Sequence, residues 1–282
     1  MSGVRAQQVI EIKPLFEYPV APDELESLQD KCNYLVKVFW DKFNFKSKEA
    51  IDQYALNEAF QVYVTAFQFA GAKEVENSVD KLIKDLSGNP MMLLQFGKAA
   101  EENLYGPRAE FWSDAIYLKF LDAILKNKKI SPQRKVRYAD QAAALRESAP
   151  GEVAPTFWFE NPDRASKQYF PMSTPTMLIF GNPDATDWRL SRIKIDSNYA
   201  IEEALQKGKI NILFIIPEDI DGWANMVTNY NKRWTVGQSI DAKKHYDLRL
   251  SPSIFIVGAD GKITRKNLSL DEAQEAILEL AN

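Results

Sequence analysis

Few side chains in this 282-residue chain could carry out nucleophilic, metal-dependent or redox chemistry. The chain contains one cysteine, Cys32, and one histidine, His245. A single cysteine can form neither an intramolecular disulfide nor a cysteine-based zinc site. With a single histidine, only His245 could serve in a Ser-His-Asp triad. We interpret it instead as a residue on a helix surface.

Cys32 lies on one apolar face of a predicted helix. Its neighbours on that face recur every three or four residues, which is the spacing of a buried helical stripe; they are Leu25, Leu28, Leu35, Val36 and Phe39. We therefore interpret Cys32 as a small buried hydrophobe. The alternative is a reactive thiol.

Acidic side chains are the remaining candidates for acid–base chemistry. Glu101, Glu102 and Glu110 could pair as a general acid and base, but carboxylates around a helix end are usually solvated. Asp184 and Asp187 lie near a predicted helix start, where such residues act as caps more often than as catalysts. We therefore predict no catalytic residue.

Composition and charge exclude several classes of protein. The net charge is −4 and the pI is about 5.3, so no overall positive field attracts nucleic acid or anionic lipid. We interpret Lys126, Lys128 and Lys129 as a solvated helix end, where cations suit the helix dipole. No apolar stretch approaches the ~20 residues of a membrane span, and we predict no integral membrane segment.

The glycines of residues 258–261 do not form a cofactor-binding loop. Gly258-Ala259-Asp260-Gly261 has neither a P-loop nor a dinucleotide-binding pattern around it. The Asp-Gly pair instead favours a tight turn between two strands. We predict no cofactor and no metal site.

The elements that position these residues change character near residue 150. Before this point the apolar residues follow a helical period, and Asp23 and Ser131 resemble N-caps. Pro132 follows Ser131 at the first helical position. The predicted helices are 23–45, 48–70, 73–86, 90–104, 109–126 and 132–147.

After residue 150 buried strands alternate with helices. A strand, an Asp-Gly turn and a second strand in "SPSIFIVGADGKITRK" form the strongest hairpin signal in the chain. The resulting order, β-α-β-α-β-β-α, predicts a mixed sheet covered by helices. The predicted strands before the hairpin are 156–160, 176–180 and 209–217, and the predicted helices are 187–207, 218–231, 240–246 and 270–281.

The order of elements in the second half, together with three local sequences, resembles the thioredoxin fold in its TlpA-like extracytoplasmic branch. "GEVAPTFWF" resembles the entry strand, and "TMLIFGNPDATDW" resembles the strand, proline and active-site turn. "YDLRLSPSIFIVGADGKI" resembles the segment that carries the cis-proline of the fold, here Ser251-Pro252, followed by its hairpin. The resemblance covers residues 151–282 and implies a cis Ser251-Pro252 bond.

The first half is similar to a helical domain of unknown function that precedes thioredoxin-like domains in secreted proteins of Gram-negative bacteria. "PLFEYPVAPDELESLQDKCNYLVKVFWDKFNF" and "AEENLYGPRAEFW" carry this likeness. It implies a periplasmic or otherwise extracytoplasmic location. Val4-Arg5-Ala6 then fits the end of a secretory signal, so residues 1–6 are either a remnant of that signal or part of a disordered cytosolic tail.

We therefore expect an α+β protein of two domains. An N-terminal all-α helical domain is followed by a C-terminal thioredoxin-like α/β domain with a mixed sheet. The expected divisions are an N-terminal arm at 1–22, the helical domain at 23–147, a linker at 148–155 and the thioredoxin-like domain at 156–282.

Both cysteines of the redox-active family are replaced in this chain. The family turn reads Pro-x-Cys-x-x-Cys, and here Pro183 and Asp184 are followed by Ala185, with Trp188 three positions later. Thiol–disulfide exchange needs an attacking thiolate and a second, resolving thiol. Neither alanine nor tryptophan supplies one, so the oxidoreductase activity of the family does not carry over. The same loss weakens the interpretation as a peroxidase, whose chemistry also begins with a low-pKa thiolate.

The resemblance instead implies a binding face made of the former active-site turn (residues 182–188) and the cis-proline loop (Ser251 and Pro252). Trp188 is either an apolar anchor for a partner or a filler under the cis-proline loop, and we expect one edge of its indole to be open to solvent. Trp223 and Trp234 are candidate neighbours. The residues of the face are Pro183, Asp184, Ala185, Asp187, Trp188, Ser251 and Pro252.

Two functions follow from this reading. The first is a redox-inactive thioredoxin-like module that binds a protein or peptide on this face. The alternative is an enzyme related to thiol-disulfide oxidoreductases and isomerases that acts through Cys32 or through the thiols of a partner. The accessibility of Cys32 distinguishes them. The oligomeric state does not follow from the sequence.

Overall fold

The computed structural model describes residues 14–47, 49, 51–171 and 173–281. The expected signal remnant at residues 1–6 lies outside them. The chain divides into two compact units at the bond between Tyr138 and Ala139. In the described part of the chain, none of the helices combines the length and the apolar character that crossing a membrane requires.

The first unit is helical, as the period of its apolar residues predicts. In α3, for example, Val75, Val79, Leu82 and Leu86 lie on one buried face. The last helix, α6, continues past Tyr138 into the second unit. The helices are α1 (Leu28–Val38), α2 (Gln53–Thr65), α3 (Ala72–Leu86), α4 (Pro90–Leu104), α5 (Asp114–Lys126) and α6 (Pro132–Glu147).

Side-chain caps fix where several of these helices begin. Helix α1 begins after Ser27, whose hydroxyl accepts a hydrogen bond from the backbone N–H of Asp30 at 3.0 Å. The expected start at Asp23 was therefore too early. Helix α4 begins at Pro90 after the cap Asn89, and its bounds match the prediction.

Aromatic side chains fill the core of the first unit. The rings of Phe39, Tyr63 and Phe96 lie 5.0–5.5 Å from the ring of Trp40, centroid to centroid, distances at which aromatic pairs attract one another. Cys32 is 6% exposed. The prediction that Cys32 is a buried hydrophobe is confirmed.

The second unit is a seven-stranded mixed sheet in the order β2-β1-β5-β4-β3-β6-β7. Strands β3, β4 and β5 are parallel, and the other neighbouring pairs are antiparallel. The strands are β1 (Phe157–Glu160), β2 (Ser166–Tyr169), β3 (Thr176–Phe180), β4 (Asn211–Ile216), β5 (Thr235–Gln238), β6 (Ser253–Val257) and β7 (Ile263–Lys266). The helices are α7 (Thr186–Asp196), α8 (Tyr199–Gln206), α9 (Trp223–Met226) and α10 (Leu270–Ala281).

Central strands of the sheet are apolar on both faces because each face carries its own core. Along β4, Ile212, Phe214 and Ile216 pack into one apolar cluster, whereas Leu213 and Ile215 pack into another. This alternation follows the two-residue period of a strand. The α+β architecture with a mixed sheet agrees with the expected fold class.

Several predicted elements differ from those observed. The predicted helix 187–207 is two helices, because the side chain of Asn198 caps a new start at Tyr199. Only the middle of the predicted helix 218–231 is helical, as α9, which begins after Gly222, a residue with φ +70°. The short strands β2 and β5 were not predicted, since "SKQY" and "TVGQ" lack an apolar run.

Residues 148–155, which we expected to be a linker, lie against the outer edge of β7. The N–H of Gly151 donates to the carbonyl of Ile263 at 2.7 Å, and the N–H of Ile263 donates to Glu152 at 2.9 Å. Val153 forms an antiparallel bridge with Lys262. This segment thus covers one edge of the sheet.

Candidate functional site

The register of two central strands brings the former active-site turn and the cis-proline loop together. Strands β3 and β6 are antiparallel, with Phe180 opposite Ser253. Gly181 and Pro252 continue from this pair, and a Cβ added to Gly181 would lie 3.4 Å from the Cβ of Pro252. The Ser251-Pro252 bond is cis, the isomer that the resemblance implies.

Asn182 shapes the turn that follows β3. Its side-chain oxygen accepts a hydrogen bond from the N–H of Asp184 at 2.8 Å, and its carbonyl accepts from the N–H of Ala185 at 3.2 Å. This is an Asx turn, which presets the chain direction before a helix. The sequence reading did not single out Asn182, although an Asn-Pro pair after a strand is a known turn signal.

The cap of α7 is not an aspartate. Ala185 occupies the N-cap position and offers no side-chain hydrogen bond. Asp184 instead forms an exposed ion pair with Arg189 at 3.0 Å, and Asp187 lies in the first turn, where a negative charge suits the helix dipole. The expectation that Asp184 and Asp187 cap this helix was wrong.

Trp188 is a core residue. It is 1% exposed, and its ring stacks on that of Phe214 with centroids 4.5 Å apart and planes 5° apart. Its Nε1–H donates a hydrogen bond to the hydroxyl of Tyr230 at 2.7 Å. The expectation of an open indole edge was wrong, because Phe214 and Tyr230 cover the ring from distant parts of the chain. The filler interpretation describes this side chain.

Tyr230 links Trp188 to charged residues of α7. Its burial raises the pKa of its hydroxyl above the ordinary value, so the hydroxyl stays neutral. The guanidinium carbon of Arg192 lies 4.9 Å from the centre of its ring, and Arg192 also pairs with Asp196 at 2.8 Å. Trp223 and Trp234 belong to the same buried cluster as Trp188, so they do not contribute to the exposed surface of the turn.

The residues of the expected face therefore differ in their exposure to solvent. Asp184, Asp187 and Ser251 are exposed, and Ala185 and Pro252 are half-buried. Pro183 and Trp188 are buried. The surface available to a partner consists of the turn backbone, two carboxylates, the hydroxyls of Thr186 and Ser251, and the proline ring.

A buried ion cluster that the sequence reading missed lies just before the cis-proline loop. The carboxylate of Asp247 pairs with Arg249 and, at 3.1 Å, with Lys266, and all three side chains are at most 6% exposed. Burial raises the pKa of Asp247, but hydrogen bonds and charges from Arg249 and Lys266 outweigh it and leave the pKa below its ordinary value. Its backbone N–H donates to the Ser148 hydroxyl at 3.1 Å.

Other candidate residues from the sequence have structural partners. The Nδ1 atom of His245 lies 2.7 Å from the carboxylate of Glu147, just after a 3-10 turn. Glu101 pairs with Arg137, and Glu102 accepts a hydrogen bond from Asn57. Among the described residues, no group of three or more His, Cys, Asp or Glu side chains is placed to hold a metal ion.

Comparison with known proteins matches the first half of the chain to a family and the whole chain to a known fold. Residues 4–148 match the family described as a domain of unknown function, DUF5106. The crystal structure of a thioredoxin-like protein from Bacteroides caccae superposes with a TM-score of 0.72 at 19% identity, covering 94% of this chain and 98% of that chain. This match shows the fold.

Shorter matches come from two structures described as thiol-disulfide oxidoreductases. A thioredoxin domain from Bacteroides vulgatus has a TM-score of 0.41 at 18% identity, covering 48% of this chain and 99% of its own. One from Bacteroides fragilis has a TM-score of 0.39 at 15% identity, covering 45% and 98%. No curated protein sequence matches this chain at a significant level.

Proposed function

Because the chain belongs to the DUF5106 family and folds its second half like a thioredoxin, we propose that it is a redox-inactive binding protein. It holds a protein or peptide segment on the face made of the former active-site turn and the cis-proline loop. It acts in the periplasm or another extracytoplasmic compartment, as the resemblance implies. Its helical domain spans 23–147, its linker 148–155 and its thioredoxin-like domain 156–282.

The main support for this proposal is a buried tryptophan at the position where the redox-active family has the second cysteine of the turn. Trp188 is closed off by Phe214 and bonded to Tyr230, so this position is part of the hydrophobic core. Ala185 at the first position has no reactive group. The turn therefore contains no sulfur atom that could act as a thiolate.

The surroundings of the turn support binding. The Asx turn at Asn182 and the antiparallel pairing of Phe180 with Ser253 fix the turn beside the loop. The buried Asp247 cluster lies just before the loop. A preorganised surface loses little conformational entropy when a partner binds. Exposed Ser251, Asp184 and Asp187 offer hydrogen-bonding groups to a polypeptide backbone and to its basic side chains.

The alternative, an enzyme that uses Cys32, receives no support from the geometry. Cys32 is buried in α1, and burial raises the pKa of its thiol. A buried thiol with a raised pKa is a poor nucleophile, because the thiolate is the reactive form.

Peptide selection on the intact protein tests the proposal. A displayed library of random peptides is selected on the wild-type chain, and the recovered peptides are titrated against Ser251→Arg, which places a bulky cation on the exposed edge of the face. We expect binding to weaken by about tenfold or more, equivalent to ~1.4 kcal/mol.

Ser197→Arg is the matched control, since Ser197 is also exposed but lies at the far end of α7. We expect it to bind the same peptides with unchanged affinity. Equal binding by both variants, or no recovered peptides at all, would contradict a peptide site on this face.

A further inference from the structure

A large open cavity lies within the helical unit, remote in sequence from the thioredoxin-like face. Its volume is about 1260 Å³. It opens between the segment that follows α1 and the junction of α3 with α4. Pockets that take small molecules measure roughly 300–1,000 Å³, so this cavity has room for such a ligand.

Aromatic and thioether side chains form the apolar part of the cavity wall, and most of the other lining residues are polar or charged. Trp40, Phe43 and Phe45 come from the segment after α1, and Met91 and Met92 come from the first turn of α4. Phe43 and Phe45 pack edge to face, with centroids 4.9 Å apart. Rings and flexible thioethers together suit an apolar ligand of adaptable shape.

Polar groups in the lining are largely committed to the protein's own backbone. The side chain of Asn89 donates to the carbonyl of Ser47 and caps Met92. Gln95 donates to the carbonyl of Ile51 at 2.8 Å, and Ser87 donates to the carbonyl of Lys84 at 2.7 Å. These bonds build the walls, so few amide or hydroxyl groups are left to select a polar ligand.

Charges of the described lining residues are balanced. Three lysines and three carboxylates among them line the cavity, and Lys81 already pairs with Asp41. A charged ligand would meet as many repulsive as attractive groups among these residues and would gain little from them. The described charged residues of the lining are Lys46, Lys81, Lys84, Asp41, Glu49 and Asp85.

We propose that this cavity binds an uncharged, largely apolar small molecule that contains an aromatic ring. The ring would pack against Phe43, Phe45 and Met91 at the mouth of the cavity. This site is separate from the proposed peptide-binding face and independent of it.

A neutral fluorescent probe, N-phenyl-1-naphthylamine, tests the site on the full chain. We expect saturable binding of one probe per chain. Ser87→Trp places an indole in the cavity lining and should weaken binding by about tenfold or more. Ser197→Trp is the matched control, because both serines are exposed helix C-caps whose hydroxyls donate to a lysine carbonyl three residues earlier.

A second pair of variants tests the site even if Ser87→Trp does not fold. Met91→Trp alters an exposed methionine of the lining, and Met226→Trp alters an exposed methionine of the other unit. The probe should also raise the melting temperature of the wild type, since a ligand of the native state stabilises it. We expect only Met91→Trp to lose this rise.

Absence of probe binding to the wild type would overturn the site, and so would equal binding by the lining and control variants. Tighter binding of the anionic probe 1-anilinonaphthalene-8-sulfonate, weakened by Lys84→Gln, would overturn the uncharged class of ligand. Binding at the peptide face is tested by Ser251→Arg, which should leave the affinity for the naphthylamine unchanged.

Discussion

The indole Nε1–H of Trp188 donates a hydrogen bond of 2.7 Å to the hydroxyl of Tyr230, forty-two positions away in the sequence. This bond and the stacking on Phe214 tie the first turn of α7 to the core of the sheet. Trp188 therefore fixes the start of α7 on the sheet.

Trp188→Ala should lower the free energy of unfolding by about 3–5 kcal/mol, because it empties a fully buried indole site. Urea unfolding followed by circular dichroism measures this change. Trp158→Ala is the control: Trp158 is 55% exposed, and its loss should change stability by no more than about 0.5 kcal/mol. Similar values for the two variants would contradict the role of Trp188 as a core residue.

Tyr230→Phe should cost about 1–3 kcal/mol, because it leaves the buried indole N–H of Trp188 without an acceptor. In the Trp188→Phe background that donor is absent, so the same change should cost less. A double-mutant cycle in urea measures the difference. Additive costs would show that the hydrogen bond contributes nothing.

Asp247→Asn should destabilise the protein by about 3–5 kcal/mol, the cost of breaking a buried ion pair. Asp184→Asn removes the carboxylate from an exposed pair with Arg189 and should cost at most about 1 kcal/mol. Thermal unfolding at neutral pH compares the two variants. A smaller loss for Asp247→Asn than for Asp184→Asn would rule out the buried cluster as a source of stability.

The pH dependence of stability should report on the same carboxylate. The pKa of Asp247 is lower in the folded protein than its ordinary value of about 3.8, so the native state prefers the ionised form. Its contribution is complete above that ordinary value and disappears as the pH falls through the lower, native pKa. The free energy of unfolding of the wild type should lose this contribution as the pH falls from neutral to acid. The Asp247→Asn variant should not show that loss.

Cys32 should react with a thiol reagent such as 5,5′-dithiobis(2-nitrobenzoate) only after denaturation, because its side chain is buried and burial raises the pKa of its thiol. The absorbance of the released thiolate measures the rate in native protein and in urea. Rapid labelling of the native protein would revive the enzyme hypothesis.

Ala185→Cys combined with Trp188→Cys should give the turn a dithiol that can reduce a substrate disulfide and become a disulfide itself, since a thiolate at a helix N-terminus is stabilised. The wild type should not reduce insulin disulfides above background, and the double variant should. Each single variant is the control. The double variant should also unfold more readily, by about 3–5 kcal/mol, because it loses the indole. Insulin reduction by the wild type that Cys32→Ser abolishes would contradict the binding proposal.

Local signals in the sequence predicted much of the fold. The bounds of α4 and α6 follow from Asn89-Pro90, Ser131-Pro132 and the period of their apolar residues. The hairpin of β6 and β7 follows from Asp260-Gly261, where Gly261 has a φ of +79°. In these cases the residues that decide the structure are neighbours along the chain.

The geometry of the candidate site could not be predicted from the sequence, because it depends on contacts between residues that lie far apart along the chain. Burial of Trp188 requires Phe214 and Tyr230, and the buried charge of Asp247 requires Lys266. A tryptophan among polar residues at a helix start gives no sign of such partners. Strand β5 was missed for the same reason, since its short, weakly apolar segment becomes a strand through pairing with β4.

The pairing of residues 151–154 with β7 has a consequence for aggregation. A fragment that begins at residue 156 would expose the N–H and C=O groups of Ile263 in β7 and the carbonyl of Gly261, which Gly151, Glu152 and Ala154 now satisfy. Open strand edges pair with other chains, so this fragment should self-associate in light scattering. A fragment that begins at Ala139 keeps the covering segment and should remain monodisperse, because residues 148–155 then protect the sheet edge.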